Sequence, residues 1–316
     1  MVAGPGPTVK HYVHLERCAV ASYRGLSNRT IAPEGMDTMD KMATVDLHMH
    51  SAFSDGKLAP SILVETAVRK GLSAIALTDH DCVDGFPEFA AAAEEAGIDS
   101  LAGVELSCVH DGCDVHVLGY GVATDDAGLR DALRQFCDTR ERRAERIVEK
   151  LADLGVHVDM ERIRARAGDG AIGRPHIAEA IVEGKYAKDF GEVFARYIGE
   201  DGPAYVEKYK MTPNEAVTQI HAAGGVAFVA HPGHYLSEPE IFDAILAEGF
   251  DGIEVHHPQH RPPVIEKLLD LAQSRQLMVS GGSDFHGFAG RDNMGIPVVP
   301  RRLYDEIVSR IARRAA

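Results

Sequence analysis

This chain predicts an α/β fold with a mostly parallel sheet and an inserted helical segment, and three observations carry that reading. Short apolar runs alternate with stretches of helical period on both sides of a gap. Across the gap, residues 124 to 205, the pattern is mostly helical. Potential metal ligands gather where the apolar runs end, the place where parallel α/β folds assemble active sites.

Residues 1–42 hold Gly-Pro repeats, scattered polar residues and no period, and read as a poorly ordered extension. Met36, Met39 and Met42 stand just before the first strand, which suits an upstream start better than a further domain. From Thr44 the runs TVDLHMH, SAIALTDH, SLAGVELSCV and DVHVLGYG read as strands. PSILVETAVRKG reads as a helix between the first two, and EFAAAAEEAG as a second helix with Gly97 just past its end. The gap opens with a helix carrying Leu129, Leu133, Phe136, Ile147, Leu151 and Leu154. The alternation then resumes with helix PNEAVTQIHAAG, strand VAFVAHP, helix PEIFDAILAEG, strand GIEVHHP, helix VIEKLLDLAQSR and strand LMVSGGSDFHG. The expected organisation is an α/β unit over 43–123 and 206–316, with a helical subdomain over 124–205. Period alone leaves the sheet open or closed into a barrel.

A chain of 316 residues can bury one large core, or a core plus a subdomain. No apolar run approaches the roughly 20 residues that cross a bilayer, and the first residues lack the features of a secretory signal. No membrane association and a cytoplasmic location are therefore expected. The net charge of −15 argues against an extended DNA-binding surface, which needs a basic footprint. A small anionic substrate stays compatible, because bound cations reverse the local field. Five cysteines without an even, close spacing read as reduced thiols.

The chemistry lies at the strand ends. His48 and His50 sit two apart and would share a strand face, with Asp55 in the following loop. His80 closes the next strand within TDHD, Glu105 sits in GVELS and His116 in DVHVLGYG. Beyond the insertion come His231 in VAHP, His256 and His257 in EVHHP, and Asp284 and His286 in SDFHG. A lone histidine at a strand end needs only one hydrogen bond, but a series at successive strand ends calls for a shared partner. Even with His256 and His257 set aside, the remaining nine donors exceed one ion's needs and point to two or three ions. Mixed imidazole and carboxylate donors suit Mn, Fe or Zn, whereas Mg prefers oxygen alone.

In this order, HMH…D, TDHD, GVE, a following histidine, HP and SDFHG resemble the polymerase and histidinol phosphatase (PHP) superfamily of phosphoesterases over Thr44 to Pro300. GRPHIA, Gly173 to Ala178, is similar to a motif in the helical insertion of one branch. That branch holds 3′,5′-nucleoside bisphosphate phosphatases and 5′-to-3′ exoribonucleases of short RNA. The resemblance implies a distorted (β/α)7 barrel with three divalent ions, manganese first and iron or zinc as alternatives. It implies a first ion on His48, His50, Glu105 and Asp284, and a second on Glu105, His116 and His231. A third would sit on Asp55, His80 and His286. The expected reaction is hydrolysis of phosphate esters of small nucleotides or short RNA by a metal-bound hydroxide. Histidinol-phosphate phosphatase is the alternative within the superfamily, and a non-catalytic module that stabilises a partner is the alternative outside enzymes.

Among groups that would meet substrate, Arg174 and His176 stand at the start of a helix opened by Pro175, a place suited to an anion. His257, rather than His256, is expected to face the pocket as phosphate contact or proton donor. Arg291 either meets a phosphate or lies exposed in a loop. Asp284, His257 and Arg174 are the expected catalytic groups. Asp79 and Asp81 are candidates for orienting ligand imidazoles, Asp81 alternatively capping a turn. RERRAERIVEK, Arg140 to Lys150, alternates charge at helical spacing and reads as a solvated face.

Overall fold

A computed structural model describes residues 43–167, 172–206, 210–288 and 290–315. The extension expected over 1–42 lies outside the described residues. The chain begins with β1 (Thr44–Asp46), α1 (Pro60–Arg69), β2 (Leu72–Leu77), α2 (Phe86–Ala96), β3 (Asp99–His110) and β4 (Cys113–Tyr120). A helical stretch follows: α3 (Ala127–Asp153), α4 (Met160–Ala167), α5 (Arg174–Glu183), α6 (Phe190–Val193) and a π-helical turn, Phe194–Ile198. Alternation then returns with α7 (Pro213–Ala222), β5 (Val226–Val229), α8 (Pro239–Leu246), β6 (Gly252–His256), α9 (Pro262–Arg275) and β7 (Met278–Gly281). The short β8 (Val299–Pro300) and α10 (Arg301–Ala315) close the chain. Among the described residues no helix is long and apolar enough to cross a membrane.

Local chemistry sets the helix ends. Pro60 opens α1, where a missing N–H costs nothing, and Leu63, Val64 and Ala67 recur at helical spacing on its buried face. Gly97 ends α2 at φ 68°, a left-handed turn that glycine adopts without strain. Thr212 and Glu215 form a reciprocal capping box that starts α7.

The strands form one sheet in the order β7-β6-β5-β4-β3-β2-β1-β8. β1–β2, β2–β3, β5–β6 and β6–β7 pair in parallel, while β4 runs antiparallel to both β3 and β5. The sheet curls until the residues after β7 meet those after β1: Leu47 N–H donates to the Gly281 carbonyl at 3.2 Å, and Met49 bridges Phe285. The result is a nearly closed, distorted barrel with helices outside. Inward-facing Val45, Leu47, Ala76, Leu118, Tyr120 and Phe228 fill its interior, with the Tyr120 and Phe228 rings meeting edge to face at 5.2 Å.

The antiparallel β4 corrects one expectation. His116 lies in the first half of its strand, not at its end, and pairs with Ser107. Because β4 runs backwards, its first half lies beside the carboxyl ends of its neighbours, so His116 still reaches the same rim. The helix α3 also divides its labour. Leu129, Leu133 and Phe136 are buried in the barrel's outer core, whereas Ile147 and Leu151 join a separate cluster with Ile163, Ile177, Ile181 and Ile198. Leu154, expected on the buried face, is 45% exposed where the helix ends.

Candidate metal centre

Glu105 is the hub of the rim. Its side chain is almost wholly buried, with Oε2 3.2 Å from His48 Nε2, His50 Nε2 and His80 Nδ1. Its Oε1 lies 2.9 Å from His116 Nδ1 and 3.2 Å from His231 Nε2. Asp284 Oδ1 stands 3.2 Å from His50 Nε2 and 3.5 Å from His48 Nε2, and its Oδ2 is 3.5 Å from His257 Nε2. Asp55 Oδ1 lies 3.2 Å from His286 Nε2 and its Oδ2 3.9 Å from His80 Nε2. The structure thus brings all nine sequence-selected donors, together with His257, onto one rim.

Buried aspartates hold the loops that carry these groups. Asp46 accepts from Ser283 N–H at 2.9 Å and Gly295 N–H at 2.8 Å, tying the SDFH loop to β1. Asp79 accepts from the Ser51 N–H and from the Ser51 and Ser54 hydroxyls at 2.6–2.7 Å, which fixes the loop between His50 and Asp55. Asp81 accepts from Ser107 N–H at 2.7 Å and its hydroxyl at 2.9 Å, linking the β2 and β3 ends. Asp79 therefore braces backbone and serines instead of orienting an imidazole. That role belongs to Glu254, which sequence reasoning missed. Its Oε1 lies 2.9 Å from His48 Nδ1 and its Oε2 accepts the His231 N–H at 2.7 Å. A glutamate inside the otherwise apolar strand GIEV was the available signal.

The backbone is bent to the same end. His231 and Asp284 adopt φ values of 31° and 51°, left-handed conformations that non-glycine residues hold only under tertiary constraint. At Gly282 a Cβ would fall 2.4 Å from the His48 Cβ, so only glycine lets this loop pass so close to the ligand strand.

Electrostatics show what the ring demands. Burial opposes a charged His48, yet the carboxylates of Glu254, Glu105 and Asp284 outweigh it and raise its pKa well above the usual histidine value. Burial is likewise overcome at His50 by Asp284 and Glu105, which hold it at about 10. Burial dominates at His80, lowering it to about 3 and keeping one ring-nitrogen lone pair available. Glu105 and Asp284 stay ionised despite burial because imidazoles surround them.

The donor set fits metal ions. Among the described residues, His50 Nδ1 and Nε2, His80 Nδ1 and His257 Nε2 are buried with no hydrogen-bond partner, although carboxylate oxygens lie nearby. His50 Nδ1, 3.9 Å from Asp55 Oδ1, is the clearest orphan, and a buried polar group left so costs about 1–3 kcal/mol. The spacing of the donors is that of ligands around a shared ion: with bonds of about 2.1 Å, neighbouring ligands sit roughly 3.0–3.4 Å apart. Three sets have all their donor atoms within 4.8 Å of one another: His50, Asp55, His80 and His286; His48, His50 and Asp284; His80, Glu105 and His116. His50 and His80 each belong to two sets, a sharing absent from the sequence-based partition.

A cavity of about 790 Å³ opens from this rim toward the helical stretch. Asp55, His80 and His116 line one side, and Lys57, Arg143, Arg166, Arg174 and His176 line it elsewhere. Arg174 opens α5, and His176 accepts the Gly173 N–H at 3.1 Å on Nδ1. The guanidinium carbons of Arg143 and Arg174 each lie 5.9 Å from the Tyr205 ring centre, and Arg143 Nε donates to the Val206 carbonyl at 2.6 Å. Arg143 belongs to the run expected to be a solvated face, and Glu141 and Glu145 of that run do pair outside with Arg164. Helical rotation turns Arg143 toward the cavity. Arg291 is the expected contact that the structure does not bring in: it is exposed and absent from the cavity wall. Its loop leads outward, where neighbouring Asp292 pairs with Lys70. His257 is buried against Asp284, whereas His256 lies near Arg302.

Comparison with known proteins agrees with this geometry. The PHP domain family model matches residues 46–253. A 3′,5′-nucleoside bisphosphate phosphatase of Chromobacterium violaceum is 34% identical over 292 residues, covering 87% of this chain and all of that protein. A 5′-3′ exoribonuclease of Haemophilus influenzae is 34% identical, covering 79% of this chain and 92% of the relative. A solved structure from Bifidobacterium adolescentis, named for a metal-dependent phosphoesterase, superposes with a TM-score of 0.73 at 32% identity, over 85% of this chain and 96% of that one. This chain therefore belongs to the PHP domain family and is a metal-dependent phosphoester hydrolase.

Proposed function

We propose that the protein hydrolyses phosphate esters of small nucleotides, with a 3′,5′-nucleoside bisphosphate as substrate and the 5′ end of short RNA as the related alternative. The observation that carries this reading is the pairing of two unlike walls in one cavity. Metal donors line one part, and Arg143 and Arg174, each 5.9 Å from the Tyr205 ring centre, line another. A substrate with two phosphates joined by a nucleoside matches that layout: one phosphate meets the donors, the other the arginines. The relatives named above support the same class.

His48, His50, Glu105 and Asp284 would hold a first ion, Glu105, His116 and His231 a second, and Asp55, His80 and His286 a third. When bound, such ions acidify water to a nucleophile and neutralise phosphoryl charge; manganese, iron and zinc all suit these donors. The chain's own residues do the rest. Glu254 holds the His48 ring through Nδ1 and leaves Nε2 facing the rim. Arg143 and Arg174 orient the anion, each guanidinium steadied by a hydrogen bond, from Arg143 Nε to the Val206 carbonyl and from Arg174 Nη1 to the Ile198 carbonyl. His257, with Nε2 buried 3.5 Å from Asp284 Oδ2 and off the cavity wall, would steady that carboxylate, and would pass a proton to the leaving oxygen only where substrate reaches past it. The helical stretch over 124–205 acts as the substrate-selecting cap.

The test is a manganese-supplemented assay on adenosine 3′,5′-bisphosphate, short 5′-phosphorylated RNA and histidinol phosphate. Turnover of the nucleotides is expected, and cleavage of histidinol phosphate alone would sink the substrate assignment.

A further inference from the structure

Of the large apolar side chains of the cavity wall, none of which this chemistry uses, two stand exposed. Phe288 and Phe190 are each 41% exposed, and among the described residues no other strongly exposed large apolar side chain lines the cavity. Phe288 is the better positioned. Its ring lies nearly parallel to that of His286, with planes 11° apart and centres 5.8 Å apart, so its orientation is tied to a metal donor. Lys57 Nζ stands 5.4 Å from the ring centre, and the Lys57 N–H donates to the His286 carbonyl at 2.8 Å. Gly287 makes the turn between the two rings at φ 70°, where a Cβ would fall 2.9 Å from Leu58. An exposed aromatic ring is thus held beside the metal donors, with the Lys57 ammonium over it, which a stacking base would displace toward its own phosphate.

Resting on the nucleotide reading above, we infer that Phe288 is the platform on which the substrate's nucleobase stacks, and that it is a specificity-determining residue of this enzyme. Every base offers a π-face, so such a platform accepts all four bases while favouring the larger purines. It also accounts for an exposed aromatic beside the metal donors, in a wall that carries several cations. With the base on Phe288, the sugar phosphate falls beside His286 and Asp55, and Lys57 stands ready for an adjacent phosphate oxygen.

The test compares adenosine 3′,5′-bisphosphate with the matching abasic sugar bisphosphate on the manganese-loaded full chain, as a ratio of kcat/KM values. In Phe288→Ala that ratio is expected to fall about 5- to 150-fold, chiefly through KM, while Phe288→Tyr keeps the wild-type ratio. An equal loss on both substrates, or an unchanged ratio, would overturn the platform while leaving the phosphoesterase reading intact. A wild-type enzyme that cleaves both equally well overturns it too. Failure of the wild type on both overturns the substrate class itself.

Discussion

Glu254 Oε1 lies 2.9 Å from His48 Nδ1, and both side chains are fully excluded from solvent. The same carboxylate accepts the His231 N–H, so one residue aligns donors from two strand ends. Partners of this kind fix the tautomer of a ligating imidazole, and their loss weakens metal binding about 10- to 100-fold. Glu254→Gln is expected to lower affinity for manganese by that order in competition titrations, and Glu254→Ala by more. Unchanged affinity in both variants would mean that His48 is not a ligand.

Proton release on metal binding follows from the electrostatics. In the metal-free protein the carboxylates hold His50 at about 10, and His48 is raised as well, so both are protonated at pH 7.5. Metal must displace those protons. Calorimetry of manganese binding in buffers of different ionisation enthalpy should therefore report a release of more than one proton. Zero release would contradict the ligand assignment.

The same shift bears on stability. A histidine raised in the folded state contributes stability that is fully present below its unfolded value of about 6.5. That contribution is lost as pH climbs through about 10, the folded value of His50. The Tm of the chelated protein should fall between pH 7 and 10, and the metal-loaded protein should fall much less. A chelated Tm that rises over this range would show that the imidazole–carboxylate ring does not stabilise the apo fold.

Arg143 gives the sharpest contrast with the sequence. A charge-assisted hydrogen bond is worth about 1.5–3 kcal/mol, so Arg143→Ala is expected to reduce kcat/KM on a nucleoside bisphosphate about 10- to 150-fold. Arg143→Lys should recover only part, because an ammonium cannot reproduce the planar fork. Wild-type kinetics in both would place the second phosphate elsewhere.

Gly282→Ala probes the geometry of the rim. The new Cβ would meet the backbone nitrogen and Cβ of His48 at 2.4 Å. Overpacking of this kind costs about 1–3 kcal/mol, and here the displaced residue carries a donor. Denaturant unfolding and manganese titration should both be impaired. A variant with normal stability and affinity would show that the loop is free to move.

The clustered donors were legible because polar residues ended runs that were otherwise apolar, and a shared partner is the simplest reason for His48, His50, His80 and Asp284 in such places. Strand direction was not legible: DVHVLGYG has the same pattern whichever way it pairs, so the antiparallel β4 emerged only from the sheet. Glu254 was hidden because one carboxylate in a five-residue strand carries no period, and its partners lie 206 and 23 residues away. Arg143 was masked by regular charge alternation, which describes the helix surface on average but not the turn that meets Tyr205. Arg291 drew notice through its proximity to SDFHG in sequence, and the loop between them leads it outward.

Nine side chains on one rim are proposed to hold three ions. Anomalous diffraction at the manganese edge from manganese-loaded crystals tests this most directly. The account predicts three peaks: one among His48, His50, Glu105 and Asp284, one among Glu105, His116 and His231, and one among Asp55, His80 and His286. A single peak, or ions bound away from Glu105, would contradict it.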